Sequence, residues 1–467
     1  MGATFHAQGS NQLPDIGTAG VAALPIEQEV RYGNAFMRFA RAGLPIIDDP
    51  VLNEYIDDLG QRLLTNADGV RFPFTFFLIN DPSINAAAFL GGRVKVHTGL
   101  FLYAESESEL ASVLAHEITH VTQRHIARYM EAQASSSAMT LAGLVGSIAL
   151  AVINPTAGIA ALQTTLGLSM QSAINYTRDN EYEADRIGMK TLYDAGFDPM
   201  GMANFFQKLA AEYRYASKPP EMLLTHPLPE TRISEARARA GSYGARALPP
   251  SLDFWLAKVR IQVRYGTETP QALLTYFDSR LQKGDYPLKD AAIYGKALAL
   301  LQLKRTDEAD TLMQELATRH PEDLFVVDAL TDIDLAKGRS AQAIARLERF
   351  RTRMPDNEVV VVNLGNAYLE AGNYKKSIAI LDPYAREHDE NSLAWSLLSD
   401  AYRKAGRMTD LHMARAETLS LRGDYQAAID ELIVARGTTS DKLTLARIEA
   451  RITQLERAKK DLDSLKG

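Results

Sequence analysis

The second half of the chain repeats itself every 34 residues. Gly338, Gly372 and Gly406 follow one another at this interval. Such a period predicts pairs of helices stacked into a solenoid, because one pair alone cannot bury its apolar face. The next matching glycine, Gly423, comes only 17 residues after Gly406, so we expect the last repeat to be irregular. We place this helical domain at residues 246–467.

The first half contains the motif HExxH, formed by His116, Glu117 and His120. Two histidines four residues apart on a helix lie on one face, one turn from each other. This spacing lets both imidazoles reach one zinc ion, while Glu117 serves as general base for an attacking water. The motif alone also fits an amphipathic helix with two surface histidines, so its meaning depends on the rest of the chain.

We predict that the motif lies on one helix running from residue 107 to about residue 130. Ser106 begins a capping box, which satisfies backbone donors at a helix start. No glycine or proline interrupts the segment. His125 comes five residues after His120 and lies off the zinc-binding face of such a helix, so we expect it to be structural.

A third zinc ligand is needed, because catalytic zinc takes three protein ligands. Glu181 and Asp185 lie about 60 residues downstream, four apart in a second helical pattern. The spacing permits Glu181 to bind zinc while Asp185 accepts a hydrogen bond from a ligand histidine. The alternative is an ordinary solvated acidic face.

His226 precedes Pro227 and therefore sits in a constrained, extended turn. A short rigid loop can present a side chain to a cleft. Three roles remain open for His226: none, stabilisation of a transition state, or an extra zinc ligand that displaces the water.

Together, HExxH, Glu-x-x-x-Asp and His-Pro-x-x-x-x-Arg resemble the motifs of the zinc peptidase superfamily of HtpX and the CAAX prenyl protease. The following repeats resemble tetratricopeptide repeats, which narrows the resemblance to the periplasmic β-barrel assembly-enhancing proteases. It covers nearly the whole chain. It implies a mainly α (α+β) fold, in which a zincin-type protease domain with a small β-sheet precedes an α-solenoid.

The resemblance also implies one zinc ion per chain. His116, His120 and Glu181 are its implied ligands, and Glu117 is the implied catalytic base. The family carries a regulatory histidine where this chain has His226, which implies a latent enzyme whose zinc His226 binds at rest, or a catalytic role for that residue.

Further roles follow from the resemblance alone. Asp185 and Arg232 are expected to support the ligands from behind. Asn85 and Ala86 are expected to bind an extended substrate through a strand that borders the cleft.

The implied function is a zinc-dependent endopeptidase of the bacterial periplasm. It would degrade misfolded or stalled outer-membrane β-barrel proteins and assist their assembly, with the repeats recruiting substrates or the β-barrel assembly machinery. The alternative is a chaperone-like assembly factor whose zinc site is structural or rarely active.

Composition bounds these expectations. A chain of 467 residues, 46% of them hydrophobic, is long enough for at least two domains. The net charge of −7 without a basic domain argues against a nucleic-acid partner. The absence of cysteine excludes disulfides and thiolate metal sites. Taken literally, a start without a signal peptide predicts the cytoplasm, whereas the resemblance implies the periplasm after removal of the signal.

Along the first half, we expect a flexible segment at residues 1–24 and the zinc protease domain at 25–245. Residues 71–80 and 94–96 are predicted strands. Residues 138–168 are apolar, interrupted by Asn154-Pro155, and too short to span a bilayer as one helix. We expect a helical hairpin there, which covers the cleft, contacts a membrane surface or is simply buried.

Overall fold

The computed structural model describes residues 24–132, 170–215, 221–244 and 246–464. It confirms a mainly α fold with one small sheet, followed by helical repeats. The expected hairpin at 138–168 and all but the last residue of the expected flexible segment at 1–24 lie outside the described residues. Among the helices of the described ranges, none is long and apolar enough to cross a membrane.

The first part of the chain contains three strands and nine of the described helices. Their bounds are α1 Ile26–Gly43, α2 Pro50–Leu64, β1 Thr75–Ile79, β2 Ala86–Phe89, β3 Arg93–His97, α3 Thr98–Tyr103, α4 Glu107–Thr122, α5 His125–Ala132, α6 Met170–Asp194, α7 Met200–Tyr215, α8 Glu221–Thr225 and α9 Glu230–Tyr243.

The three strands form one sheet in the order β1–β3–β2. Strand β1 is parallel to β3, and β2 is antiparallel to β3, with Ala86 opposite Val96 and Ala88 opposite Val94. Strand β2 packs beside α4. The sheet thus places one outer strand next to the helix that carries HExxH.

The prediction of a single helix from residue 107 to about 130 is wrong, because the helix breaks between α4 and α5. Arg124 adopts a left-handed backbone with φ of 54°, which is uncommon for a residue other than glycine. Its buried side chain donates to Glu29 Oε1 at 2.8 Å and to the carbonyl of Leu24. The turn is therefore held by tertiary hydrogen bonds rather than by a glycine or proline.

Helix α6 crosses α4 at very short range. A Cβ atom on Gly188 would lie 3.1 Å from backbone atoms of both Ala115 and His116, which is too close for most side chains. Glycine at this position lets the helix of Glu181 and Asp185 approach the helix of HExxH.

Twelve helices form the second part of the described chain. They are α10 Leu252–Tyr265, α11 Pro270–Lys283, α12 Lys289–Gln302, α13 Thr306–Arg319, α14 Leu324–Ala336, α15 Ser340–Arg353, α16 Glu358–Glu370, α17 Tyr374–Glu387, α18 Ser392–Lys404, α19 Met408–Leu421, α20 Tyr425–Gly437 and α21 Lys442–Ser464.

The helices of these repeats keep the predicted interval. Helices α14, α16 and α18 begin 34 residues apart, and so do α15, α17, α19 and α21. The expected irregularity after Gly406 lies in a connection. Residues 388–391 link α17 to α18, whereas the shorter segment 422–424 links α19 to α20 through Gly423, whose φ is 72°. Gly406 lies in the connection before α19 and Gly423 in the connection after it, which is why the two glycines are half a repeat apart.

A buried cation joins the two parts. Arg260 of α10 is 1% exposed, and its Nε donates to Asp49 Oδ2 at 2.8 Å. Its Nη1 lies 2.7 Å from Asp328 Oδ2 and donates to the Tyr294 hydroxyl at 3.1 Å. Asp49 also caps α2 by accepting from the backbone of Leu52. One hydrophobic core continues across this junction into the first repeats.

We predict that Arg260→Met destabilises the protein by about 3–5 kcal/mol, because two buried carboxylates lose their close cation and keep only Arg264, which lies 3.9 Å from each. The midpoint of urea unfolding, followed by circular dichroism, should fall. Arg305→Met is the matched control: Arg305 pairs with Glu308 at the surface, and its loss should change stability by about 0.5 kcal/mol or less. Equal shifts for the two variants would contradict a role for Arg260 at the junction.

Candidate metal centre

Four predicted residues converge on one point. Nε2 of His116 lies 3.0 Å from Nε2 of His120 and 3.3 Å from Oε2 of Glu181. Glu181 Oε1 lies 3.3 Å from His120 Nε2 and 3.1 Å from His226 Nδ1. His226 Nδ1 is also 3.3 Å from His116 Nε2. All four side chains offer a ligand atom within 4.8 Å of every other.

These distances fit a tetrahedral metal ion. Ligand atoms about 2.0–2.2 Å from a central ion lie roughly 3.3–3.6 Å from one another at the corners of a tetrahedron. With Oε2 of Glu181 as the carboxylate ligand atom, four of the six pairs among the four residues lie between 3.0 and 3.3 Å. Three imidazoles and one carboxylate are also a donor set that divalent transition metals bind.

The electrostatics of the cluster call for a positive charge. Burial by itself lowers the pKa of His116, but hydrogen bonds to Asp185 and Glu181 raise it to about 10. Burial lowers the pKa of His120 to about 4. Burial would raise the pKa of Glu181, yet the charges of His226 and Arg232 hold it well below its usual value. The carboxylates of Glu181 and Asp185 thus favour positive charge on His116, whereas burial disfavours it on His120.

Asp185 and Arg232 lie directly behind the ligands. Asp185 Oδ1 is 3.0 Å from Nδ1 of His116, the nitrogen that points away from the cluster. Arg232 is 2% exposed and donates two hydrogen bonds, of 2.7 and 2.8 Å, to the carboxylate of Asp185. Its Nη1 also donates to Glu181 Oε2 at 2.8 Å and to the carbonyl of Pro227 at 2.7 Å.

Glu117 is buried beside the cluster. Its Oε2 accepts a hydrogen bond of 2.9 Å from the backbone of Ala88 on β2. Its Oε1 lies 3.3 Å from Nε2 of His226. His226 therefore lies between the ligand atoms and the carboxylate predicted to be the base.

Asn85 and Ala86 lie at the strand next to this carboxylate. The carbonyl of Asn85 accepts from the backbone of His97 at 3.0 Å. Since peptide groups alternate in direction along a strand, those of Ala86 and Ala88 face away from β3, and Ala88 meets Glu117. The backbone of Asn85 is engaged with the sheet, whereas that of Ala86 faces away from β3; both residues are buried, with 1% and 0% of their surface exposed.

Sequence reasoning missed the contacts of His125. Its Nδ1 lies 2.8 Å from Nδ1 of His120, and its Nε2 lies 3.2 Å from Glu183 Oε2. On an unbroken helix His125 would face elsewhere, but the left-handed turn at Arg124 returns it to His120. No local signal in the sequence indicated this contact, because the turn at Arg124 depends on hydrogen bonds to residues distant in sequence.

Residues 50–240 match peptidase family M48, and residues 291–323 and 334–401 match tetratricopeptide repeat families. The first match contains every candidate ligand and Glu117. The other two lie within the helical solenoid.

Known bacterial proteins are similar to this chain over most of its length. A Vibrio cholerae serotype O1 protein is 54% identical over 322 residues, which cover 69% of this chain and 66% of the relative. A protein named beta-barrel assembly-enhancing protease from Yersinia pestis is 50% identical, with 72% and 69% covered. Its namesake from Escherichia coli strain K12 is 45% identical, with 74% and 71% covered. The matched part thus spans about two thirds of these relatives.

We predict that Asp185→Asn weakens metal binding by about 10–100-fold, with zinc as the probe ion, because the variant no longer fixes the ring and tautomer of His116 with a charged acceptor. Competition with a chromophoric chelator measures the dissociation constant. Asp194→Asn is the control, since Asp194 pairs with Lys190 at the exposed end of the same helix. Unchanged affinity in Asp185→Asn would separate this carboxylate from the metal centre.

Proposed function

We propose a specific function for this metalloendopeptidase, which belongs to peptidase family M48. Its metal is zinc, one ion per chain, and it acts in the bacterial periplasm on outer-membrane β-barrel proteins that misfold or stall during assembly. The observation that carries the proposal is the convergence of His116, His120, Glu181 and His226 beside the buried carboxylate of Glu117.

In the active state, His116, His120 and Glu181 hold the zinc. A bound zinc ion supplies a Lewis acid that polarises a peptide carbonyl and lowers the pKa of a water molecule. Glu117 takes a proton from the attacking water and delivers it to the leaving amine. The hydrogen bond from Ala88 to Oε2 of Glu117 leaves Oε1 directed at the cluster, which suits this transfer.

At rest, His226 keeps the enzyme latent. Its Nδ1 lies at the fourth corner of the ligand cluster, and its Nε2 lies beside Glu117. In this position one imidazole takes the place of the attacking water and engages the base. Movement of the loop that carries Pro227, which Arg232 anchors through its carbonyl, would open the site.

An extended substrate binds along β2. The outward peptide groups of this strand include Ala86, and the next outward residue, Ala88, contacts Glu117. A peptide that adds to this edge by backbone hydrogen bonds would run past the base and the metal. Such recognition is independent of side-chain sequence, which suits an enzyme that removes many different stalled β-barrel proteins.

The solenoid of residues 246–467 recruits the clients or the assembly machinery, while residues 25–245 cut. Two observations support this division. Stacked helical repeats present extended surfaces that bind proteins, and the relatives from Yersinia pestis and Escherichia coli carry the name beta-barrel assembly-enhancing protease.

We predict that Glu117→Gln lowers the rate of casein cleavage by about 10²–10⁴-fold, because the amide cannot accept the proton of the attacking water. Zinc content, measured by metal analysis, should stay at one per chain. Glu212→Gln, at an exposed position of α7, is the control. Hydrolysis indifferent to Glu117→Gln would favour the assembly-factor alternative instead.

We predict that His226→Ala raises casein cleavage. If His226 blocks the site in about nine chains of ten, only one chain in ten is active, so its removal should give about a tenfold gain. His320→Ala, which removes a histidine paired with Asp290 in the repeats, should leave the rate unchanged. A loss of activity in His226→Ala would show that this residue stabilises the transition state rather than blocking the site.

A further inference from the structure

The second zinc ligand of the motif, His120, has a partner of its own. Its Nε2 faces the other ligand atoms, so its Nδ1 points away from the cluster. That Nδ1 lies 2.8 Å from Nδ1 of His125, whose side chain is buried. The two rings are nearly perpendicular, with their centroids 4.8 Å apart.

Metal binding would fix every proton in this contact. A neutral imidazole that binds metal through Nε2 carries its proton on Nδ1. His120 Nδ1 is then the donor, so His125 Nδ1 must be the acceptor. The proton of His125 therefore resides on Nε2, which lies 3.2 Å from Glu183 Oε2 and can donate to that carboxylate.

The series of hydrogen bonds from His120 ends on an ion pair between Glu183 and Arg128. Arg128 Nη1 donates to the same Oε2 of Glu183 at 2.8 Å. Glu183 and Arg128 are each about one-third exposed, so their charges are partly solvated. The contacts thus run in one direction, from the ligand His120 through His125 to Glu183 and Arg128.

The other ligand histidine is held in a parallel way. His116 Nδ1 faces Asp185, and Arg232 grips Asp185 from behind. Each of the two imidazoles of the HExxH motif is therefore supported by a carboxylate that pairs with an arginine. For His116 the carboxylate makes direct contact, whereas for His120 a second imidazole spans the gap.

The backbone is shaped to make this contact. Arg124 separates α4 from α5 with a left-handed φ of 54°, a conformation that is strained for a residue other than glycine. Buried hydrogen bonds from Arg124 to Glu29 and Leu24 hold it there. The next residue is His125, and the turn directs its ring back toward His120.

We propose that His125 is a positioning residue, which orients His120 and fixes its metal-binding tautomer through the chain to Glu183 and Arg128. The inference deepens the proposed function and rests on zinc binding by His116 and His120. It assigns His125 no contact with substrate and no part in the chemical step.

The test is the affinity for zinc of the full chain, measured by competition with a chromophoric chelator. His125→Leu should weaken binding by about 10–100-fold, the range for loss of a partner behind a metal ligand. His125→Gln should retain affinity within about threefold of the original chain, because its amide can both accept from His120 and donate to Glu183. Thermal unfolding of the metal-free proteins is recorded alongside.

A second variant, alone and combined with His125→Leu, tests whether Glu183 acts on His120 through His125. Glu183→Gln should weaken zinc binding in the original chain but add little on top of His125→Leu, since residues in one network are not additive. His412→Leu, which removes a histidine paired with Glu431 in the repeats, is the matched control and should bind zinc normally.

The outcomes separate the two proposals. Failure of the original chain to bind zinc would overturn the proposed function itself. Zinc binding by His125→Leu within twofold of the original would overturn the positioning role alone. Equal losses of affinity in the Leu and Gln variants, with matching losses in the stability of the metal-free protein, would reduce His125 to a packing residue.

Discussion

The contacts of one buried arginine organise the metal centre. Arg232 comes from α9 and binds Asp185 and Glu181, two carboxylates of α6 that would otherwise repel each other in the protein interior. A buried charge is tolerated only with such partners. The same side chain holds the carbonyl of Pro227, next to His226. The metal ligand Glu181, the support of His116 and the loop of His226 therefore share a single anchor.

Much of this arrangement could be predicted from local spacing. Helical periodicity placed the two histidines of HExxH on one face, and the same rule put Glu181 and Asp185 on another. The 34-residue interval identified the solenoid. The break at Arg124 could not be predicted, because it depends on a hydrogen bond to Glu29, which is distant in sequence. Propensity rules describe what a residue favours alone, and here a long-range contact outweighed them.

The position of His226 links two events that are usually separate. Its two ring nitrogens face different groups, one toward the ligands and one toward Glu117. Displacing the side chain of His226 would open the fourth ligand position and free Glu117 at the same time. The neighbouring strand β2 touches the same carboxylate through Ala88. Binding of a substrate strand and release of His226 would thus both change the contacts of Glu117.

The continuous core between the protease part and the first repeats also bears on how bonds are chosen. Arg260 and the apolar residues around it connect the described residues of the two parts through buried contacts. A client gripped by the solenoid would then meet the cleft at a set distance and angle. Under such a geometry, the distance from the segment bound by the solenoid would select the bond. The position of a bond along the client, more than the residues flanking it, would decide where the client is cut.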